Sequence, residues 1–220
     1  MIEAVIFDVD GTLVDTVDFH ALAWQRSFAA FGYEFGFSEV RAQIGKGGDQ
    51  LIPSLLPDAE AARNGAKIDA YRKDLFAQEY MPRVRGFAHV RDLFTALAGQ
   101  GRRLALASSA KGDELDHYVR AAGIEGLFEC AVSSDDAEKS KPHPDIFRSA
   151  LIRLGLAPDR AVVVGDTPYD AQAAHGAGIP CVGMLSGGFT EAELKASGCV
   201  EIWPDPEALW RNLGASLLSR

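Results

Sequence analysis

The chain has 220 residues, of which 47% are hydrophobic and 24% charged, a globular composition that excludes a disordered chain. That length suits one large domain, or one domain with a smaller partner. The formal charge of −9 argues against binding nucleic acid by phosphate neutralisation, so any anionic ligand must be met by a local cation.

The three cysteines, Cys130, Cys181 and Cys199, lack the number and spacing for a disulfide framework or a zinc site. They read as small buried hydrophobes in a reducing, cytoplasmic setting. The first apolar run, Ala4–Phe7, is too short for a signal peptide. No apolar run reaches the length of about 18 residues that a membrane span needs.

In chain order, Ala4–Phe7 is the first predicted strand. Phe19–Phe31 and Ala59–Glu79 follow as helical patterns, with no strand signal between Thr16 and Tyr80. Then strands at Leu104–Ala107, Cys130–Val132, Ala161–Val164, Cys181–Met184 and Val200–Trp203 alternate with helices at Val90–Leu97, Glu114–Ala122, Ile146–Leu154 and Ala171–Ala177. Short, uniformly apolar strands are those of a sheet covered on both faces. Their alternation with helices predicts an α/β doubly wound parallel sheet, Rossmann-like in plan. Residues 16–83 are predicted to be an all-helical insertion, a cap over the site. Residues 1–15 and 84–220 form the core, with Pro82–Gly86 as the return hinge. Thr167 before Pro168, and His143 before Pro144, read as helix caps, and Gly155 and Gly178 as helix stops.

The polar residues gather where strands end. The first strand runs into Phe7-Asp8-Val9-Asp10-Gly11-Thr12, and the fourth into Gly165-Asp166-Thr167-Pro168-Tyr169-Asp170. Ligands of open α/β sheets bind beyond the carboxyl ends of the strands. If these two strands are neighbours, four carboxylates converge. Oxygen ligands in that number suit a hard divalent cation, magnesium best. The second strand ends in Ser108-Ser109, and Ser140-Lys141-Pro142 places a lysine after the third. Singly, each residue is ordinary: an aspartate after a strand is usually a turn residue. Together they are equipment for holding a phosphoryl group.

On these motifs the chain resembles the haloacid dehalogenase superfamily, in the subgroup with a helical cap after the first motif. The matching residues are Asp8-Val9-Asp10-Gly11-Thr12, Ser108, Lys141 and Gly165-Asp166…Asp170. Asp15-Thr16…His20 and Gly45-Lys46-Gly47-Gly48 match more weakly. The resemblance implies that Asp8 is a nucleophile and Asp10 a general acid and base. It implies Mg2+ on Asp8, the Asp10 main-chain carbonyl and Asp166, with Asp170 a ligand through water or an orienting group. Ser108 would donate to phosphate and Lys141 would offset charge. Dehalogenating relatives lack an aspartate two residues after the nucleophile, and phosphonate-cleaving ones have an alanine-type residue there. Asp10 therefore points to cleavage or transfer of a phosphate ester.

Thr16, His20, Lys46, Ser109 and Lys111 are the candidate substrate-side residues. His20 could bond Asp10 or the hinge backbone, and Gly47-Gly48 would let a substrate approach closely. The partner expected is a small phosphorylated metabolite. A mutase similar to β-phosphoglucomutase stays open, although the basic residue expected after Lys46 is replaced by the Gly48-Asp49 region. A non-catalytic phosphate-binding or regulatory module is the alternative of another class.

Overall fold

The computed structural model describes residues 1–110 and 112–220. Six strands form one parallel sheet: β1 (Ala4–Phe7), β2 (Arg103–Ala107), β3 (Cys130–Val132), β4 (Ala161–Gly165), β5 (Cys181–Met184) and β6 (Cys199–Trp203). Their order is β3-β2-β1-β4-β5-β6, so the winding reverses between β1 and β4. These two strands are neighbours, with Phe7 opposite Val164. The acidic motifs that follow them therefore leave the sheet side by side, at its switch point.

Helices α1 (Val17–Ala30), α2 (Phe37–Arg41), α3 (Gly48–Leu55) and α4 (Asp58–Leu75) lie between β1 and β2. A π-helical turn, Phe76–Tyr80, extends α4. The remaining helices are α5 (Val90–Gly99), α6 (Asp113–Ala122), α7 (Asp145–Leu154), α8 (Pro168–Gly176), α9 (Glu191–Ala196) and α10 (Pro206–Arg211).

Side chains alternate across each strand, and the two faces of the sheet carry separate apolar clusters. Val5 and Phe7 pack with Leu93, Phe94 and Tyr118 on one face. Ala4 and Ile6 pack with Phe147, Ala150 and Ala174 on the other. Strands buried on both faces explain the uniformly apolar runs. The inserted helices have an apolar cluster of their own, with Trp24, Phe28, Leu51 and Ile68 at its centre. Each such buried side chain is worth about 1.5–3 kcal/mol relative to exposure, while Ala23, Leu75, Phe76 and Tyr80 of the insertion pack into the core cluster and tie the two together.

The chain enters and leaves the insertion along paired segments. Val14 bridges Gly86 in antiparallel fashion. Asp15 N–H donates to the Arg85 carbonyl at 2.9 Å, and Phe87 N–H to that of Leu13 at 3.0 Å.

Two sequence expectations need correction. Helix α7 starts at Asp145, with Pro144 in the cap position and no side chain capping it, so His143 is not the cap. Helices α2 and α3 are additional to the two patterns expected in the insertion. His89 has φ 60° before α5, bonds Asp92 at 2.7 Å and stacks on Trp210 at 4.5 Å.

Candidate active site

The backbone turns sharply after β1. Asp8 N–H still donates to Val164 O at 2.9 Å, which fixes Asp8 as the last residue in register with the sheet. Beyond it, the Val9 carbonyl accepts from the amides of Thr12, Leu13 and Val14. Gly11 makes this turn at φ +78°, where a Cβ would lie 2.3 Å from Asp166 Oδ2. A side chain there is excluded by both backbone conformation and space.

Asp8, Asp166 and Asp170 form a buried group whose carboxylate oxygens lie within 4.8 Å of one another. The Lys141 ammonium contacts Asp8 and lies 2.7 Å from Asp170 Oδ1. Thr12 Oγ1 lies 2.8 Å from Asp166 Oδ1 and 3.3 Å from Asp8 Oδ2. Asp170 is oriented by its helix: Thr167 caps α8, donating its hydroxyl to Asp170 Oδ2 at 2.6 Å, which leaves Oδ1 for the lysine.

Charges here are far from ordinary. Burial pushes the Asp8 carboxyl up to about 7 against the pull of Lys141, and Asp170 and Asp10 add to the rise. Burial, then the charges of Asp8 and Asp170, push Asp166 well above the usual carboxylate range. Burial works against the Lys141 charge, yet Asp170 and Asp8 outweigh it and raise its pKa.

The donor set fits a divalent cation. Three carboxylates face one ammonium in a buried space, so full ionisation would leave two negative charges uncompensated. Asp166 Oδ2 is buried without a hydrogen-bond partner, an oxygen that needs a cation or a donor. All three ligands are hard oxygens, the choice of Mg2+ rather than of softer metals.

The expected convergence of four carboxylates is therefore corrected to three, because the Asp10 side chain turns toward the insertion. Its Oδ1 accepts from Thr16 Oγ1 at 2.7 Å and lies 2.9 Å from His20 Nε2. Ser108 Oγ is 3.4 Å from its Oδ2. Burial would raise the Asp10 carboxyl, but His20 and Thr16 outweigh that and hold it below its ordinary value.

A cavity of about 330 Å³ opens above this group, between core and insertion. Asp8, Asp10, His20, Lys46, Ser109 and Lys141 all line it. Lys46 Nζ is held by Gln43 Oε1 at 2.6 Å and Ser54 Oγ at 2.8 Å, and sits 4.8 Å from the centre of the Tyr169 ring. Gly47 was expected to admit substrate; a Cβ there would meet Ser140 Oγ at 2.1 Å, so it also admits the core. Lys111 lies outside the described residues.

Sequence reasoning missed Trp24, Asp69 and Arg72, which also line the cavity. Thr16, at the cap of α1, and His20 and Trp24 within it repeat at four-residue spacing, and that was the available signal. Arg72 lies over the Trp24 ring at 5.2 Å and reaches Asp69 at 3.4 Å, contacts that no local pattern announces.

Residues 5–184 match the family model described as haloacid dehalogenase-like hydrolase. The chain is 33% identical to Protein CbbY of Cereibacter sphaeroides over 90% of each chain. It is 31% identical to a phosphoglycolate phosphatase of Escherichia coli, over 84% of this chain and 82% of that one. A solved structure of a hydrolase from Pseudomonas syringae superposes with a TM-score of 0.85, at 27% identity, covering 97% of this chain and 98% of that one. The sheet order, the strand-end acids and these likenesses agree: the chain belongs to the haloacid dehalogenase-like hydrolase family.

Proposed function

We propose that the protein is a magnesium-dependent phosphatase that hydrolyses a small phosphomonoester through an aspartyl-phosphate on Asp8. The observation that carries this is the buried group of Asp8, Asp166, Asp170 and Lys141 at the floor of a cavity, with Asp10 beside it on a different set of partners. The phosphatase named among its relatives lends support.

In this reading Asp8, Asp166 and the Asp10 main chain would hold Mg2+, and Asp170 would serve as a ligand through water or as an orienting group. When bound, the ion offsets the repulsion between the nucleophilic carboxylate and the phosphate oxygens. Asp8 attacks phosphorus, the phosphorus–oxygen bond to the substrate breaks, and Asp10 gives its proton to the leaving oxygen. A water then attacks phosphorus, returns a proton to Asp10, and frees Asp8 and inorganic phosphate. Ser108 donates to a phosphate oxygen, while Lys141 balances charge on Asp8 and the group in transfer. Residues 16–83 act as a cap hinged at the paired segments around Val14 and Gly86, with residues 1–15 and 84–220 as the core. The cap's Lys46 and the core's Ser109 meet the rest of the substrate. A cavity of about 330 Å³ suits a small metabolite and excludes a folded macromolecule.

A mutase must also hold a second phosphate on the cap side. There the first turn of α3 presents Asp49, whose carboxylate accepts from Ser140 N–H at 3.1 Å, and an acid repels that group. The reading is tested by phosphate release from a panel of small phosphomonoesters, with and without magnesium, for wild type and Asp10→Ala. Magnesium-dependent release that the substitution removes is expected. Release indifferent to both would refute it.

A further inference from the structure

Asp10 is held by a chain of contacts that continues beyond His20 into the core. Tyr118 sits on α6, fully buried. Its hydroxyl lies 3.2 Å from His20 Nε2 and 2.9 Å from Glu114 Oε1. The same Nε2 is 2.9 Å from Asp10 Oδ1. Phe76, in the π-helical turn, lies flat on the imidazole at 4.1 Å and 4°. Tyr118 meets the other aspect of Phe76 edge-on, at 6.5 Å and 88°.

The direction of each hydrogen bond follows from what each group can donate. The Glu114 carboxylate only accepts, so the phenol hydrogen goes to it. The phenol oxygen then offers His20 lone pairs alone. Asp10 Oδ1 likewise offers lone pairs. Nε2 thus faces two acceptors and carries the hydrogen. Thr16 also donates to Oδ1, which fills that oxygen with two donors. Proton transfer by Asp10 is left to Oδ2, the oxygen 3.4 Å from Ser108 Oγ.

We propose that Tyr118, seated by Glu114, is a positioning residue that keeps the Nε2–H of His20 directed at Asp10 Oδ1 and so leaves Oδ2 as the oxygen through which Asp10 transfers a proton. The inference rests on the phosphatase reading and on Asp10 as its acid. His20 belongs to the insertion and Tyr118 to the core, so the alignment is complete only when the two are docked.

The consequence is a dependence on the leaving group. An alkoxide needs the Asp10 proton, whereas p-nitrophenolate leaves almost without it. The experiment measures kcat/KM for p-nitrophenyl phosphate and for the best alkyl phosphate of the panel. This ratio reports steps only through phosphorylation of Asp8, so the later water attack does not mask the effect. The proteins are wild type, Tyr118→Phe, His20→Ala and the double variant. Tyr118→Phe is expected to lose roughly tenfold on the alkyl ester, as removing an orienting partner does, with less than about a twofold change on the aryl ester. In the His20→Ala background it should cost nothing further, because it acts through that ring.

Equal losses on both esters would mark Tyr118 as merely structural and overturn the inference, as would a full loss that persists without His20. If Tyr118→Phe does not fold, Glu114→Gln carries the same test. Its amide can donate to the phenol oxygen and reverse the chain, so ester-selective loss is again expected and unselective loss contradicts it. Wild type releasing phosphate from neither ester would sink the phosphatase reading itself, and this inference with it. Normal wild-type turnover with unselective variants would sink the inference alone.

Discussion

The two sides of the cleft are built by different means. On the core side, Asp8 and Asp166 stand at the ends of adjacent paired strands, and backbone bonds fix them before any side chain acts. On the insertion side, Thr16, His20 and Lys46 stand at helix starts and in a turn. Side-chain contacts hold them: Asp10 for the first two, Gln43 and Ser54 for the third. The core side is strongly charged, and its groups depend on one another electrostatically. Under the proposed function the chemistry sits at the strand ends, and recognition of the rest of the substrate falls to the helices.

Substitutions can break or sharpen that contrast. Asp8→Asn should have the largest effect, a loss of at least about 10⁴-fold in kcat, in the range seen when one member of a catalytic group is removed. Circular dichroism should show an unchanged fold. Turnover within a hundredfold of wild type would remove the nucleophile from the account. Lys141→Met should come next and should harm both activity and stability. The ammonium pairs with Asp8 and Asp170, and removing one partner of a buried ionic group costs about 3–5 kcal/mol. Urea unfolding in a chelator checks it. No loss of stability would mean that the carboxylates shed their charge without the lysine. Lys46→Ala should have the smallest effect: KM for the true substrate several-fold higher, kcat little changed, and stability altered by less than about 0.5 kcal/mol. An unchanged kcat/KM would return Lys46 to a turn held by its neighbours.

Most of the core was legible because burial on both faces leaves a plain trace: short apolar runs ending in polar residues. Cys130–Val132 and Cys181–Met184 match their predicted bounds for that reason. The strand-end residues were legible with them, since topology alone brings β1 and β4 together. The side-chain direction of Asp10 was not legible. The two-residue alternation that would align it with Asp8 holds only in extended chain, and the chain has already turned at Val9. Helix α2 spans five residues and α3 carries Pro53 inside it, so neither offers a periodic face long enough to read. Tyr118 was hidden differently. It lies within the predicted helix Glu114–Ala122, and its hydroxyl gains meaning only when His20, 98 residues earlier, is packed against it.

The central claim is that Asp8 carries the phosphoryl group during turnover. Rapid acid quench of wild type mixed with a radiolabelled phosphoester and magnesium, followed by peptide mapping, tests it most directly. The account predicts label on the peptide that contains Asp8, absent when magnesium is chelated and absent from Asp8→Asn. Full turnover with no labelled protein, or label on another residue, would contradict it.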